Sequence, residues 1–308
     1  MTKYKIILNP NSARGMGGKS IERIKERLQG HHLDFDIATS ERVGHAIELA
    51  QQAVKDGYDV VVAAGGDGTA NEVANGLMLA KKAGVGEATF ALLGIGRGND
   101  FAFGADIPTD FEEACQLLVN GRRQRSDVGW ITGGLYPEGR YFINGVGIGF
   151  DATINYEASK VKIVSGAPSY LIGAIKALLF YYLAPLARFE VNDSKVFEQH
   201  ALLVTLMNGK RLGGAFLLSP NAILDDGLLD FVSAGKISRP RILTLLGRSL
   251  KGEHIGQPEI RFERIKKLSV TVLGEGVLPA QADGEVCSLE GKQLTVEILP
   301  QAMEIICK

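Results

Sequence analysis

The sequence predicts an α/β nucleotide-binding domain of the doubly wound kind, followed by an all-β, sandwich-like domain with helical insertions. Three observations predict it. Short apolar strands alternate with polar loops and amphipathic helices through the first part of the chain. The fully apolar run Val60-Val61-Val62-Ala63-Ala64 leads straight into Gly65-Gly66-Asp67-Gly68-Thr69, which reads as a buried parallel strand turning sharply into a helix. After about Gly121 the texture changes to short strands separated by glycine-rich turns. A chain of 308 residues has the length of about two domains, placed at 1–121 and 122–308. Its 45% hydrophobic and 22% charged residues supply two cores.

In chain order, Lys5 to Leu8 forms a first strand ending in the loop Asn9-Pro10-Asn11-Ser12-Ala13-Arg14-Gly15, which combines turn formers with one cation. A helix runs from about Lys19 to Leu28, and Asp34 to Ala38 alternates as a second strand. Ser40 to Gly44 is a polar loop. The helix from His45 to Lys55 sets Ile47, Leu49, Ala50 and Val54 on an apolar side. The glycine turn then opens a helix that begins near Ala70 and reaches Lys82. Thr89 to Leu93 is a further strand, ending in Gly94-Ile95-Gly96-Arg97-Gly98-Asn99-Asp100-Phe101. In parallel sheets ligands bind beyond the carboxyl ends of the strands, so the loops at Asn9, Ser40, Gly65 and Gly96 are expected to converge on one crevice.

The second half reads as strands at Asp127–Ile131, Tyr141–Ile148, Arg188–Val191, Ala201–Met207, Leu228–Ser233, Leu268–Leu273, Gln293–Ile298 and Met303–Cys307. The last of these is expected to return toward the first domain. Helical insertions are expected at Ser169–Leu183 and Arg239–Lys251. The greasy run from Tyr170 to Leu186 falls short of the ~20 apolar residues that cross a bilayer. It is either buried or in contact with a lipid substrate or membrane surface.

The glycine turn carries the first chemical reading. Three missing β-carbons in four positions let backbone N–H groups approach a ligand closely, and the amino end of the following helix favours an anion such as phosphate. Asp67 would repel a bare phosphate and makes more sense beside a magnesium-bound nucleotide or a hydroxyl donor. The bland alternative is a tight strand-to-helix turn with a capping Asp or Thr. Two other glycine stretches are set aside. Ala13 to Ser20 nearly fits the GxxxxGK[ST] cradle, but the preceding Asn9-Pro10-Asn11-Ser12 makes its loop too long. Gly145-Val146-Gly147-Ile148-Gly149 fits a dinucleotide fingerprint only loosely and sits in the β-rich half.

A net charge of −1 supplies no broad basic field, which argues against a nucleic-acid binder. The three cysteines, Cys115, Cys287 and Cys307, are far apart without metal-like spacing and read as reduced thiols of a cytoplasmic protein. Met1 to Tyr4 leads directly into a strand, so no signal peptide is expected.

Asn9-Pro10-x-Ser12, the GGDGTANE stretch from Gly65 to Glu72, Gly96-Arg97-Gly98-Asn99-Asp100-Phe101-Ala102, Leu224-Asp225-Asp226-Gly227-Leu228 and Asp283-Gly284-Glu285 occur in a familiar order. In this the chain resembles bacterial diacylglycerol kinase-like lipid kinases over essentially its whole length. GGDGT alone is shared with NAD kinases and phosphofructokinase relatives; joined to the Asn-Asp-Phe-Ala loop and the late Asp-Gly-Glu it is specific. The resemblance implies an α/β nucleotide domain followed by a β-sandwich, with ATP as donor. Nucleotide contacts would come from Asn9, Ser40, Gly65, Gly66, Asp67, Gly68, Thr69, Asn71, Glu72, Gly96, Arg97 and Asn99. Arg97 departs from the small hydroxyl residue usual at its position, and Ser12-Ala13-Arg14 from the usual Ser-Gly-Lys.

The resemblance further implies a network of Arg14 with Asp100 and one of Asp225 and Asp226, and a structural magnesium on the Asp226 carboxylate and the carbonyls of Ile223 and Leu228. By residue type alone Asp225-Asp226-Gly227 is simply a turn. On the Asp283-Gly284-Glu285 turn we favour Glu285 as base, with Asp283 as magnesium ligand or orienting acid. The catalytic set is thus Glu285, Asp283, Asp67, Asp100 and Arg14.

The expected function is a Mg2+- and ATP-dependent kinase acting on diacylglycerol or a related lipid alcohol, cytoplasmic and transiently peripheral to the membrane. An exposed strand edge in the second domain would allow a homodimer. The alternatives are an NAD kinase-like small-molecule kinase and a nucleotide-binding regulator that does no chemistry.

Overall fold

A computed structural model describes residues 2–96, 98–161, 167–181 and 184–308, apart from the side chains of Arg14 and Ala167. Arg97, expected at the nucleotide, lies outside the described residues, as do Tyr182 and Leu183 of the greasy run. The chain divides into two units, Met1–Asp127 with Gln301–Lys308, and Val128–Pro300.

The first unit contains β1 (Lys3–Leu8), α1 (Ser12–Lys19), α2 (Ile21–Gly30), β2 (Asp34–Thr39), α3 (His45–Lys55), β3 (Val60–Gly65), α4 (Asp67–Lys82), β4 (Thr89–Gly94), α5 (Asp100–Gly104) and α6 (Phe111–Asn120). The sheet order is β2-β1-β3-β4 with every pairing parallel. Ile305 near the chain end pairs in parallel with Phe90. β3 is buried at all six positions, as a central parallel strand covered on both faces must be. One face packs Ile6, Leu8, Val60 and Val62 against Ile24, Leu28, Cys115 and Leu118. α6 starts at Asp110, whose carboxylate accepts the N–H groups of Glu112 and Glu113 at 2.9 and 3.0 Å, a capping arrangement worth about 1 kcal/mol.

The second unit takes in the end of β5 (Arg122–Gly133), then β6 (Tyr136–Phe142), β7 (Gly145–Gly149), α7 (Phe150–Ser159), α8 (Ala167–Phe180), β8 (Leu186–Val191), β9 (Lys195–His200), β10 (Leu203–Met207), β11 (Leu229–Ala234), α9 (Arg239–Ser249), β12 (Ile260–Ile265), β13 (Lys267–Val272), β14 (Ala280–Ala282), β15 (Glu285–Ser288) and the start of β16 (Gln293–Cys307). An antiparallel sheet of order β12-β11-β10-β7-β14-β15 faces a second antiparallel set in which β13 pairs with β16 and β8, and β8 with β9. Their inner faces share one core, in which Phe189 of β8 and Phe231 of β11 lie 6.3 Å apart. The expected α/β-then-sandwich fold is thus present.

Several local expectations are corrected. The Asn9–Gly15 stretch is not an open loop: the Asn9 carbonyl accepts both the Ser12 N–H and its hydroxyl at 3.2 and 2.8 Å, and α1 begins at once. Tyr141–Ile148 is two strands, because the N–H groups of Ile143, Asn144 and Gly145 go to the Asp283 carboxylate. Gln293–Ile298 and Met303–Cys307 are one strand, β16, which runs through Pro300. All three cysteines are free and buried. Among the described residues no helix is long and apolar enough to cross a membrane.

Candidate active site

In the first unit the carboxyl ends of β1, β2, β3 and β4 lie along one edge of the sheet, and they bring Asn9, Ser40, Gly65 to Thr69, Gly96, and Gly98 to Asp100 to that edge. Asn9 Nδ2 donates to Thr69 Oγ1 at 3.1 Å, tying the first loop to the glycine turn. The Ile95 N–H reaches the Gly65 carbonyl at 2.8 Å. A β-carbon on Gly96 would stand 2.5 Å from the Gly66 Cα, so the two glycine loops touch main chain to main chain. This close approach is why both positions lack side chains. Behind them stands the 16-residue helix α4, whose N-cap Gly66 supplies no side-chain cap; its amino end presents backbone N–H groups and positive dipole to an anion.

The acids around this edge hold its loops. Asp67 Oδ1 accepts the N–H groups of Asp100 and Phe101 at 2.7 and 3.3 Å and so anchors the amino end of α5. Glu72 accepts the N–H groups of Gly44 and Ala46 at 2.9 and 3.1 Å and anchors α3 beside Ser40. Asn71 is fully buried in α4, where Asn75 Nδ2 donates to its Oδ1 at 3.1 Å. Ala13 to Lys19, which nearly fits a phosphate cradle in sequence, lies in α1.

In the second unit the Asp283-Gly284-Glu285 turn joins β14 to β15. Asp283 is buried with φ of 48°, and its carboxylate accepts from Ile143, Asn144 and Gly145 at 2.8, 2.9 and 2.9 Å. Glu285 is exposed. A relay leads away from the turn: Asn155 Nδ2 donates to the Gly284 carbonyl at 2.7 Å, and the Tyr170 hydroxyl donates to Asn155 Oδ1 at 2.6 Å. A second branch runs from the Gly284 N–H to Gln281 Oε1 at 2.8 Å and from Gln281 Nε2 to Asp151 Oδ2 at 2.7 Å. Burial pushes the Asp151 carboxyl pKa up, partly opposed by the Gln281 hydrogen bond.

Both branches end at an apolar cavity that Tyr170 and Asp151 line with Phe150, Ile154, Phe216 and Leu245. His254 at the same cavity is buried, and burial pushes its pKa down. Sequence reasoning missed Asn155, Gln281, Asp151 and His254. The one signal in reach was the greasy run beginning at Tyr170.

The donor set implied for a structural cation, the Asp226 carboxylate with the carbonyls of Ile223 and Leu228, is all oxygen and fits a hard divalent ion. Asp226 Oδ1 also accepts the Leu228 N–H at 3.0 Å, and Oδ2 lies 3.5 Å from Arg264 Nη1. Arg264 Nε is 3.2 Å from Asp230 Oδ1, and Asp230 accepts from the Ser219 hydroxyl. A cation at this turn would therefore share its carboxylate with an arginine. Among the described residues no group of three or more His, Cys, Asp or Glu side chains is assembled for a metal.

A doubly wound domain with touching glycine loops at a helix amino end, followed by a sandwich bearing an acidic turn, defines a class of kinases rather than a general nucleotide binder. Residues 3–131 match the diacylglycerol kinase catalytic domain, and residues 144–307 match the YegS C-terminal NAD kinase beta sandwich-like domain. A diacylglycerol kinase of Staphylococcus saprophyticus is 30% identical over 284 residues, 92% of this chain and 88% of that protein. One of Bacillus subtilis is 29% identical over 276 residues, 88% and 86% of the two chains. The crystal structure of a diacylglycerol kinase from Bacillus anthracis strain Sterne superposes with a TM-score of 0.72 at 22% identity, covering 100% of this chain and 97% of that one. An NAD kinase of Archaeoglobus fulgidus in complex with ATP gives 0.52 at 12% identity, with 99% and 93% covered; these two likenesses are of fold. The chain belongs to the diacylglycerol kinase family, and with it to the ATP-dependent lipid kinases.

Proposed function

We propose that this chain transfers the γ-phosphoryl group of ATP to a hydroxyl of diacylglycerol or a closely related lipid alcohol, with magnesium. The observation that carries the acceptor is the relay Gly284–Asn155–Tyr170, which ties the acidic turn to the wall of an apolar cavity. A lipid alcohol needs both: a greasy recess for its body, and an acid for its hydroxyl.

In this reading Asn9, Ser40, the Gly65–Thr69 turn, Gly96 and Asn99 bind the nucleotide, with the amino end of α4 taking its phosphates. Asn71 and Glu72 act from behind, by fixing α4 and α3. Arg14 and Arg97 are assigned to the phosphates on charge alone. Magnesium bound with the triphosphate would neutralise charge on the transferring group, and Asp67 and Asp100 are the residues assigned to hold it. The acceptor hydroxyl gives its proton to Glu285, its oxygen forms the bond to the γ-phosphorus, and the bond to the β-phosphate oxygen breaks to release ADP. Asp283, engaged by three N–H groups, is a positioning residue that fixes the turn carrying Glu285. The carboxylate of Asp226 with the Ile223 and Leu228 carbonyls is assigned to a structural cation.

The test is incubation with labelled ATP and a panel of lipid alcohols: diacylglycerol, phosphatidylglycerol, a sphingoid base and a prenol. Label is expected in phosphatidic acid. Replacing Glu285 by Gln is expected to lower kcat by about 10²–10⁴-fold while ATP still raises the melting temperature. Label entering NAD and no lipid would replace this reading with that of an NAD kinase.

A further inference from the structure

The apolar cavity of the second unit has four polar side chains in its wall, those of Asp151, Tyr170, Ser249 and His254. Three of them are engaged. Asp151 Oδ2 accepts from Gln281 Nε2 at 2.7 Å, the Tyr170 hydroxyl donates to Asn155 Oδ1 at 2.6 Å, and the Ser249 hydroxyl donates to the Leu246 carbonyl at 2.7 Å. His254 differs. It is only 4% exposed, and among the described residues neither Nδ1 nor Nε2 meets a hydrogen-bond partner. The main chain holds it there. The Glu253 N–H reaches the Arg248 carbonyl at 3.0 Å, and the Gln257 N–H reaches the His254 carbonyl at 3.2 Å. A β-carbon on Gly252 would stand 2.8 Å from Pro220 Cγ, so the turn that carries the histidine is closely packed.

Burial pushes the His254 pKa down, with the Leu218 carbonyl opposing part of that effect, so the ring is neutral at pH 7. A neutral imidazole has one N–H and one bare nitrogen. The N–H is the costlier of the two to leave unmatched, since buried donors without acceptors are rarer than under-used acceptors. The Leu218 carbonyl is close enough to act on the charge of the ring but does not complete a hydrogen bond to it. Water is a poor substitute, because a buried water needs two to four polar partners and the other three polar side chains of this wall are already bonded. The missing group is therefore an oxygen that accepts and is embedded in hydrocarbon. The carbonyl of an acyl ester is such an oxygen. A prenol or a sphingoid base has no carbonyl between its hydroxyl and its hydrocarbon body.

We propose that His254 is a specificity-determining residue of the acceptor recess, its ring N–H donating to an ester carbonyl of an acylated lipid alcohol. The inference rests on the lipid-kinase reading and deepens it, by naming the class of lipid that the recess selects: acyl esters over ethers, prenols and sphingoid bases.

The experiment compares a short-chain diacylglycerol with the dialkylglycerol of equal chain length, in which ether oxygens replace the esters and the free hydroxyl is unchanged. Phosphorylation is read as kcat/KM with labelled ATP, and binding as the rise in melting temperature that each lipid causes. The parent is expected to prefer the ester by about tenfold, in KM rather than kcat, and to be stabilised more by it. His254→Phe, which keeps a ring and removes the N–H, should bring the kcat/KM ratio close to one and equalise the two thermal shifts. His254→Gln, which keeps an N–H donor, should retain part of the preference. If circular dichroism shows His254→Phe unfolded, His254→Leu is read in its place. Should both be unfolded, nitrogen NMR of the parent decides: the His254 ring resonances should move with the ester and stay with the ether.

A parent without ester preference in either readout would overturn the proposal. So would a folded His254→Phe that keeps the full preference, or a His254→Gln that loses it as completely as His254→Phe does. An ester preference in melting temperature that His254→Phe abolishes, with no lipid phosphorylated by the parent, would keep the role of His254 and sink the kinase reading instead. Phosphorylation of both lipids with equal kcat/KM and equal thermal shifts would do the opposite.

Discussion

Asp283 and Glu285 sit two residues apart on one turn and meet opposite environments. Asp283 is buried against three N–H donors, while Glu285 faces solvent. Replacing Asp283 by Asn would set an amide N–H2 against backbone donors and remove charge-assisted bonds worth about 1.5–3 kcal/mol. Urea denaturation should therefore show Asp283→Asn destabilised by about 3 kcal/mol and Glu285→Gln within about 0.5 kcal/mol of the parent. Equal stabilities would remove the positioning role. Gly96→Ala offers a second test, because its β-carbon would strike the Gly66 Cα and main chain cannot rotate aside. The glycine loops should separate, and the rise in melting temperature on adding ATP should vanish. Asp151 gives a pH signature. Its pKa is raised by burial from an ordinary 3.8, so its contribution to stability is complete below that value and is lost as pH rises through the folded pKa. Asp151→Asn keeps an acceptor for Gln281 without this loss. The stability of the variant relative to the parent should climb with pH above 3.8 and then level off; a pH-independent difference would contradict a buried, reluctant acid.

The elements differ in how openly the sequence declares them. β3 was legible because it is apolar on both faces, as a central parallel strand is, and α3 because its apolar stripe matches a helical period. The glycine turn was legible because close main-chain contact excludes side chains. α7 was not: its Asp151, Asn155 and Glu157 are polar yet buried, so no amphipathic stripe marks it. α1 was hidden because Gly15, Gly17 and Gly18 read as loop formers. β9 alternates poorly, since KVFEQH is exposed or half-buried throughout. The relay at the acidic turn was beyond pattern reading, because Asn155 and Gly284 meet across 129 residues. The Asp226 turn lies between these cases, legible as a turn but silent about Arg264. There a hard cation and an arginine would contend for one carboxylate. Magnesium is expected to raise the melting temperature of the parent, and Asp226→Ala to lower that temperature and abolish the response. A parent whose melting curve ignores magnesium would count against a cation there and leave the Asp226 carboxylate to Arg264.

At the scale of the molecule, the candidate chemistry is divided between two units with separate cores. The glycine loops and the amino end of α4 belong to the first; the acidic turn, its relay and the apolar cavity belong to the second. A division of this kind makes the two binding events separable by mutation. A ligand that binds only the folded state raises stability by about 2.7 kcal/mol at a hundred times its Kd, so each event can be read by thermal shift without turnover. Gly66→Val, whose first side-chain atom would stand 3.2 Å from the Gly96 Cα, should lose the shift caused by ATP and keep the shift caused by a short-chain diacylglycerol. Leu245→Arg, which sets a charge in the apolar cavity, should do the reverse if the fold tolerates it; Phe216→Ala, which only enlarges that cavity, serves as the milder companion and should weaken the lipid shift alone. Glu285→Gln should keep both shifts and lose transfer. If the glycine substitution abolished the lipid shift as well, in a chain that circular dichroism shows folded, the acceptor recess would have to depend on the phosphate loops, and assigning the lipid to the second unit by itself would be wrong.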